Sequence, residues 1–192
     1  MPRPLEFGIA FLALLISSPV LVLCSVWVKV VSPGPVLFRQ KRIGYQMQEF
    51  DMIKLRTMHL GAERSGTITS RDDSRVIRGA RLLRRYKIDE IPQLLNVLGG
   101  TMALVGPRPT VLEDVLRMDD RQRMRYSVRP GLTGLAQIEG NTRLTWPERI
   151  EWDLKYIGSR STAYDVWILK RTVELVFSGA ADTHPGSDGE WG

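Results

Sequence analysis

The hydrophobic pattern divides the chain into an apolar N-terminal segment and a longer amphipathic part. Residues 7–28 include no charged side chain. These roughly 22 residues, at a rise of about 1.5 Å each, are enough for a helix to cross a hydrocarbon core of about 30 Å. The pattern therefore predicts a helix inserted in a membrane.

Ser18 and Pro19 interrupt the apolar segment near its middle. A proline inside a helix removes a backbone donor and clashes with the preceding turn. Arg3 precedes the segment and several Lys and Arg residues follow it, so both ends favour the cytoplasmic side. We predict a re-entrant helix-hairpin over residues 1–31, broken at Ser18-Pro19, whose opened backbone binds hydroxyls such as that of Ser17. A straight, proline-kinked single-pass helix is the alternative.

Residues 32–178 show short extended and helical patterns, which predict an α+β domain that is mostly helical. Extended segments are predicted at residues 36–38 and 48–58, and a mobile loop at 59–74. Helices are predicted at residues 76–87, 93–98, 110–125, 146–157 and 164–177.

Two of these segments carry a further expectation. Residues 164–177 mix aromatic and aliphatic side chains with Lys170 and Arg171, as an interfacial amphipathic helix does, although a core helix is equally consistent. Residues 179–192 are rich in Gly, Asp and Pro-containing turns, which predicts a disordered tail.

Composition narrows the function classes. The 192 residues carry a formal net charge of +6, which favours an anionic partner. Cys24 is the single cysteine and there are two histidines, which excludes an intramolecular disulfide and argues against a zinc site. Nucleic-acid binding is the weakest option, because the basic residues adjoin apolar surface rather than stacking aromatics.

Asp89 and Glu90 are adjacent carboxylates between a basic stretch and an apolar one. Adjacent acids repel, so the pair indicates a nearby cation or the metal of an anionic substrate. The pair also lies near the start of a predicted helix, where the dipole favours ionised carboxylates. A solvated surface pair is the competing interpretation.

Two stiff loops each place an arginine next to proline: Gly106-Pro107-Arg108-Pro109, and Arg129-Pro130 within residues 128–134. A rigid loop limits the entropy lost when arginine grips a phosphate or carboxylate. The loops therefore indicate an anionic ligand, with a salt bridge from Arg108 to a neighbour as the alternative. The chain contains no Walker loop and no dinucleotide fingerprint.

Taken together, these motifs resemble the small monotopic phosphoglycosyl transferases, the bacterial sugar transferase family that starts glycoconjugate assembly on polyprenyl phosphate. The resemblance covers almost the whole chain, from about residue 7 to 177. The matching pieces are, in order, Ser18-Pro19, Phe38-Arg39-Gln40-x-Arg42-x-Gly44, Lys54-Leu55-Arg56-Thr57-Met58, Asp89-Glu90-Ile91-Pro92-Gln93-Leu94, Gly106-Pro107-Arg108-Pro109, Val128-Arg129-Pro130-Gly131-Leu132-Thr133-Gly134-Leu135-Ala136-Gln137 and Trp152-Asp153.

The resemblance implies a two-step reaction. The family's catalytic aspartate, matched by Asp89, attacks the β-phosphate of a UDP-sugar, releases UMP and holds the phosphosugar covalently until polyprenyl phosphate takes it. Glu90 matches the residue that binds the required Mg²⁺. Lys54 and Arg84 match basic residues important in the family, and Asp153 matches another functional acid. We add Arg108 and Arg129 as cations that bind the substrate.

The chain departs from the family pattern after Gln137, where many relatives have Asn-Gly-Arg. Here Glu139-Gly140-Asn141-Thr142-Arg143 moves the arginine two residues on, and we predict that Arg143 replaces it in binding substrate. An acetamido sugar is the first expectation for the donor, with glucose or galactose next.

The resemblance places the protein on the bacterial inner (cytoplasmic) membrane, with its catalytic domain on the cytosolic face. Membrane lipid, the UDP-sugar and polyprenyl phosphate are the expected partners, nucleic acid is not, and a homodimer stays open. Two other functions stay open as well: a membrane-anchored scaffold that binds anionic lipid, and a glycosyltransferase that releases UDP.

Overall fold

A computed structural model describes residues 1–62, 73–140 and 143–178, together with Trp191. The helices are α1 (Arg3–Val31), α2 (Ala80–Arg85), α3 (Leu94–Leu98), α4 (Leu112–Leu116), α5 (Asp120–Arg123), α6 (Leu135–Glu139), α7 (Trp146–Ser159) and α8 (Thr162–Phe177). The strands are β1 (Leu37–Ile43), β2 (Glu49–Leu55), β3 (Ala103–Val105) and β4 (Gly131–Thr133). The expected mostly helical protein, with an apolar N-terminal helix and a small sheet-containing domain, is confirmed at this level.

Helix α1 is continuous, and the predicted break at Ser18-Pro19 is not present. Pro19 has no N–H for the Leu15 carbonyl four residues earlier, but the Ser18 hydroxyl donates to that carbonyl at 2.7 Å. The Ser17 hydroxyl donates to the Ala13 carbonyl, also at 2.7 Å. Both serines thus bind the backbone as we expected, and their bonds let the helix run through the proline.

Both ends of α1 pack on the folded domain while its middle is exposed. Near the N-terminus, Glu6 is buried and its Oε1 accepts from the Leu104 N–H at 3.1 Å. Near the C-terminus, buried Val28 packs with Leu55 and Leu83. Between them the exposed apolar residues are Phe11, Leu12, Leu15, Ile16, Val20, Val22, Leu23 and Val26. This helix is long and apolar enough to cross a membrane.

Strands β1 and β2 form an antiparallel hairpin in which Phe38 pairs with Lys54. Phe50 and Met52 of β2 are buried on one face, in the main core, which fixes the register because adjacent side chains point to opposite faces. Leu55 lies on the other face, where it packs with Val28 and Leu83. The predicted strands are confirmed, with β1 running beyond Phe38 to Ile43.

Strands β3 and β4 are parallel and bring the two arginine loops together. Their backbones approach so closely that a Cβ on Gly131 would lie 2.1 Å from the Gly106 nitrogen. A side chain at either glycine would force the strands apart, so this contact explains both motif glycines.

The predicted helices are mostly confirmed, with one correction. Residues 110–125 do not form one helix, because Asp119 starts a new one: its carboxylate accepts from the Gln122 N–H at 2.7 Å in a capping box. Helix α2 is shorter than predicted and starts after Gly79, which has a φ of 88°. Most of the predicted loop at 59–74, and the predicted tail except Trp191, lie outside the described residues.

Candidate active site

The acidic pair lies in a 3₁₀ turn, residues Ile88–Gln93, that leads directly into α3. Lys87, just before the turn, has the left-handed backbone conformation with φ of 54°. Asp89 and Glu90 are only 7% and 8% exposed, so they are not a solvated surface pair. Burial of two adjacent acids is costly unless cations lie nearby.

Glu90 is bound by two cations. Its Oε1 accepts from Lys54 Nζ at 3.0 Å and from Arg108 Nη2 at 2.9 Å. Burial alone would raise the pKa of Glu90, but Arg108 and Lys54, helped by Lys87, hold this pKa well below its usual range. Glu90 is therefore an ionised carboxylate at neutral pH.

Asp89 has the opposite environment. Its Oδ1 is buried and has no hydrogen-bond partner among the described residues. Burial and then the charge of Glu90 raise the pKa of Asp89 from 3.8 to about 6, while Lys54, Lys87 and Arg84 act in the other direction. Asp89 thus has a free oxygen and is ionised just below neutral pH, as a nucleophilic carboxylate must be.

Lys54 and Arg108 are held in place by the fold. Asn96 of α3 accepts from the Ile53 N–H at 3.0 Å and donates to the Asp51 carbonyl at 2.7 Å, which ties β2 to the helix after the acidic turn. Arg108 follows β3 in its proline-flanked loop, and its carbonyl accepts from Arg125 Nη2 at 2.9 Å. The cations therefore approach Glu90 from two separate elements.

The predicted cations divide into two groups. Lys54 and Arg108 contact Glu90, and Arg84 lies close enough to Asp89 to lower its pKa. Arg129 instead donates to the Gly100 carbonyl at 3.0 Å and lies over the Tyr45 ring. Arg143 is exposed, next to the undescribed residues 141 and 142. Substrate contacts of all five residues stay predictions.

Asp153 is placed behind the acidic pair rather than beside it. It is 2% exposed and pairs with Arg125, whose Nε and Nη2 lie 3.0 and 2.6 Å from Asp153 Oδ2. Arg125 in turn holds the Arg108 carbonyl. Asp153 therefore supports the Arg108 loop here, and direct contact with substrate stays a prediction.

Sequence reasoning missed Arg125 and Arg42. Arg125 lies at the end of the helix predicted at 110–125, and its buried ion pair depends on a partner 28 residues away, for which the sequence carries no local signal. Arg42 belongs to a quoted motif, but no role was given to it. Burial, then the neighbouring Arg108, lowers the pKa of Arg42 to about 10, which places another guanidinium near the site.

The donor set fits Mg²⁺ in its usual protein role. Mg²⁺ binds through one or two carboxylates plus substrate phosphates and keeps several waters, so a cage of protein ligands is unnecessary. No group of three or more metal-binding side chains occurs in the described part of the chain. Glu90 Oε2 has only a long 3.5 Å contact with Arg108 Nη1, which leaves this oxygen available as a metal ligand.

Comparison with known proteins identifies the family of this chain. A family model described as bacterial sugar transferase matches residues 1–179. A Caulobacter vibrioides protein named UDP-glucose:undecaprenyl-phosphate glucose-1-phosphate transferase is 43% identical over 180 residues, covering 89% of this chain and 67% of the relative. An Escherichia coli protein of the same name is 37% identical over 90% of this chain, but the match covers only 39% of that relative.

A Bacillus subtilis protein named uncharacterized sugar transferase EpsL matches along almost its whole length. It is 37% identical over 186 residues, which are 96% of this chain and 92% of EpsL. The predicted family resemblance is confirmed by these matches. The chain belongs to the bacterial sugar transferase family and is an enzyme of that family.

Proposed function

We propose that this protein transfers a sugar-1-phosphate from a UDP-sugar to undecaprenyl phosphate and releases UMP. The names of the relatives support the reaction type: the Caulobacter and Escherichia proteins are named for transfer of glucose-1-phosphate to undecaprenyl phosphate. The unequal environments of Asp89 and Glu90 carry the proposal for this chain. One carboxylate has a free oxygen, and the other is fixed between two cations.

Asp89 is the proposed nucleophile. One of its carboxylate oxygens attacks the β-phosphorus, the bond from that phosphorus to the bridging oxygen breaks, and UMP leaves with the oxygen. An oxygen of undecaprenyl phosphate then attacks the same phosphorus and frees Asp89. Both steps move a phosphosugar between anions, so fixed cations near the phosphorus are needed to lower the barrier.

Lys54 and Arg108 supply that positive charge from β2 and from the proline-flanked loop. Glu90 would hold Mg²⁺, which when bound neutralises part of the charge on the pyrophosphate. Arg84, Arg129, Arg143 and Asp153 stay proposed substrate-binding residues; for Asp153, an effect through Arg125 and Arg108 is the better supported route.

The proposed acceptor is a lipid, and α1 is placed where it can insert into the membrane that contains this lipid. Both ends of this helix contact one folded domain, and the exposed apolar middle lies between them. We therefore propose that α1 enters and leaves the membrane by one leaflet without a break in its helical conformation. The catalytic domain would then lie on the cytosolic face of the inner membrane, where soluble UDP-sugar and membrane-bound acceptor meet.

Nucleotide release tests the reaction directly. Protein in lipid nanodiscs is mixed with Mg²⁺, undecaprenyl phosphate and a panel of UDP-sugars, and UMP is resolved from UDP. UDP-glucose comes first because it appears in the names of several relatives, ahead of the acetamido sugars expected from sequence. We expect UMP, and we expect Asp89→Asn to lose at least 1,000-fold of this activity, or about 4 kcal/mol of transition-state stabilisation.

Asp120→Asn is the matched control, because Asp120 is fully exposed on α5. It should release UMP at the wild-type rate. Release of UDP would indicate direct glycosyl transfer, and substantial turnover by Asp89→Asn would rule out the covalent aspartate. Vesicle binding without turnover of any donor would favour the scaffold function.

A further inference from the structure

A small cavity next to Arg108 is lined by two residues that carry a buried hydrogen-bond donor and a buried acceptor without partners. Its lining includes Arg108, Arg125, Arg149, Gln137, Trp146 and Asp153. Arg125 Nη1 and Gln137 Oε1 are both buried and make no hydrogen bond within the described part of the chain. An unpaired buried polar group is costly, so a ligand that pairs both groups would recover part of this cost.

The guanidinium of Arg125 is held in one orientation, which also sets the orientation of Nη1. The residue is 1% exposed, and its Nε and Nη2 are both bonded to Asp153. Nη2 also donates to the Arg108 carbonyl at 2.9 Å. These bonds fix the plane of the guanidinium, which leaves Nη1 as a pre-oriented donor.

Gln137 is fixed in a similar way. Its Nε2 donates to the Leu132 carbonyl at 3.4 Å, which leaves Oε1 as the acceptor. Gly134, at the start of α6, makes room for this oxygen, because a Cβ there would lie 2.7 Å from Gln137 Oε1. The amide is therefore held with its carbonyl oxygen free.

Together, Arg125 Nη1 and Gln137 Oε1 favour a neutral ligand that both accepts and donates a hydrogen bond. An anion would meet the Gln137 oxygen and the Asp153 carboxylate, whereas a cation would meet Arg108, Arg125 and Arg149. The cavity volume is about 20 Å³, which admits a group the size of one water or the edge of a ring. An imide edge, with a carbonyl beside an N–H, matches both groups in this space.

The cavity is close to the acidic pair, because Arg108 contacts both. Arg108 lines the cavity and also reaches Glu90 Oε1 at 2.9 Å, so the cavity lies one arginine side chain from the carboxylates. If the β-phosphate of a UDP-sugar is at Asp89, the rest of the nucleotide extends past Arg108. The far end of that nucleotide is uracil, which presents an imide edge.

We propose that this cavity receives the imide edge of the donor's uracil ring, an assignment that rests on the proposed function. A ring carbonyl accepts from Arg125 Nη1, and the N3–H donates to Gln137 Oε1. Cytosine has no proton on N3 and would place an acceptor against Gln137. The cavity therefore selects uridine nucleotides over cytidine nucleotides.

The test uses ligands that differ only at the imide edge. Full-length protein in nanodiscs with Mg²⁺ is titrated calorimetrically with UMP, N3-methyl-UMP and CMP. We expect wild-type protein to bind UMP at least about tenfold more tightly than either analogue, since each leaves Gln137 unpaired. Gln137→Leu should bind UMP about tenfold more weakly and lose the preference. Gln48→Leu, at an exposed position, should behave like wild type.

Equal affinity of wild-type protein for UMP and N3-methyl-UMP would overturn the assignment, and this comparison needs no variant to fold. A Gln137→Leu protein that keeps the preference would also overturn it. The assignment would also be overturned if Gln137→Leu weakened the binding of an acetamido-sugar 1-phosphate but not that of UMP, because the cavity would then bind the acetamido group. A preference for UMP without UMP release from any donor would support the cavity and refute the proposed reaction.

Discussion

Asp89 and Glu90 are neighbours in the chain, yet their side chains have different partners. Two cations hold Glu90 in its ionised form, whereas Asp89 Oδ1 has no hydrogen bond among the described residues. The fold therefore stabilises one carboxylate and leaves the other costly to ionise. A nucleophile that is well stabilised in the resting protein would be weaker, so this cost is consistent with a catalytic role for Asp89.

Because ionisation of Asp89 is costly in the folded protein, we predict that Asp89→Asn stabilises the metal-free protein above pH 6. The pKa of Asp89 is about 6 in the folded state against 3.8 ordinarily. The folded carboxyl holds its proton more tightly, so stability falls as pH rises from about 4 to 6 and stays lower above that, by on the order of 3 kcal/mol. The neutral amide avoids this loss.

Thermal unfolding in EDTA at pH 4 and pH 8 checks this prediction. Asp89→Asn should melt above wild type at pH 8, and the two should converge at pH 4. The exposed control Asp120→Asn should stay within about 0.5 kcal/mol of wild type at both values. A difference that does not change with pH would contradict the ionisation argument.

The sequence predicted which charged residues lie together better than it predicted what supports them. Lys54 and Arg108 both pair with Glu90, and for Arg108 this is the salt bridge to a neighbour that stood as the alternative to an anionic ligand. Arg129 has the same arginine–proline pattern as Arg108 but binds the Gly100 carbonyl. Local sequence shows that an arginine is held rigidly, whereas the direction of its side chain depends on the parallel pairing of β3 with β4.

At the scale of elements, α1 is held to the domain by a group at each end. At its N-terminus, Arg3 bonds Glu6 at 2.8 Å and also donates to the carbonyls of Val97 and Met102. At its C-terminus, buried Arg56 donates to the Ser32 and Pro33 carbonyls. Carbonyls at a helix C-terminus need such donors, and a cation there also complements the helix dipole.

Arg56→Ala is predicted to destabilise the protein by about 2–4 kcal/mol, because it leaves these carbonyls without their charged donor. Chemical denaturation of nanodisc or detergent samples measures the loss. Arg39→Ala is the matched control, since Arg39 is exposed on β1 and should change stability by no more than about 0.5 kcal/mol. Equal stability of the two variants would show that the helix end does not depend on Arg56.

Pattern predicted the number and kind of most elements but not two boundaries. The capping box of Asp119 divides the predicted helix at 110–125, and this signal was present in the sequence. The continuity of α1 at Pro19 depends on rotamers of Ser17 and Ser18, which bond preceding carbonyls. A serine before proline permits either a break or a repaired turn, so sequence alone leaves both open.

At the scale of the whole molecule, the two ends of α1 constrain the topology. A straight helix of 29 residues is about 44 Å long, enough to cross a bilayer core of about 30 Å. A single-pass orientation would place the two ends on opposite sides. The contacts of Glu6 with Leu104, and of Val28 with Leu55, require both ends to lie against the same folded domain.

Cysteine labelling tests the one-leaflet topology. Cys24 is the single cysteine, so Cys24→Ser gives a background without thiols. Pro2→Cys and Pro35→Cys then place one probe at an exposed position beyond each end of α1. A membrane-impermeant maleimide should label both in inverted vesicles and neither in intact spheroplasts, because in the proposed topology contacts at both ends hold α1 to a domain on the cytosolic side. Labelling of one position from each side would establish a single-pass helix and would mean that one terminal contact opens in the membrane.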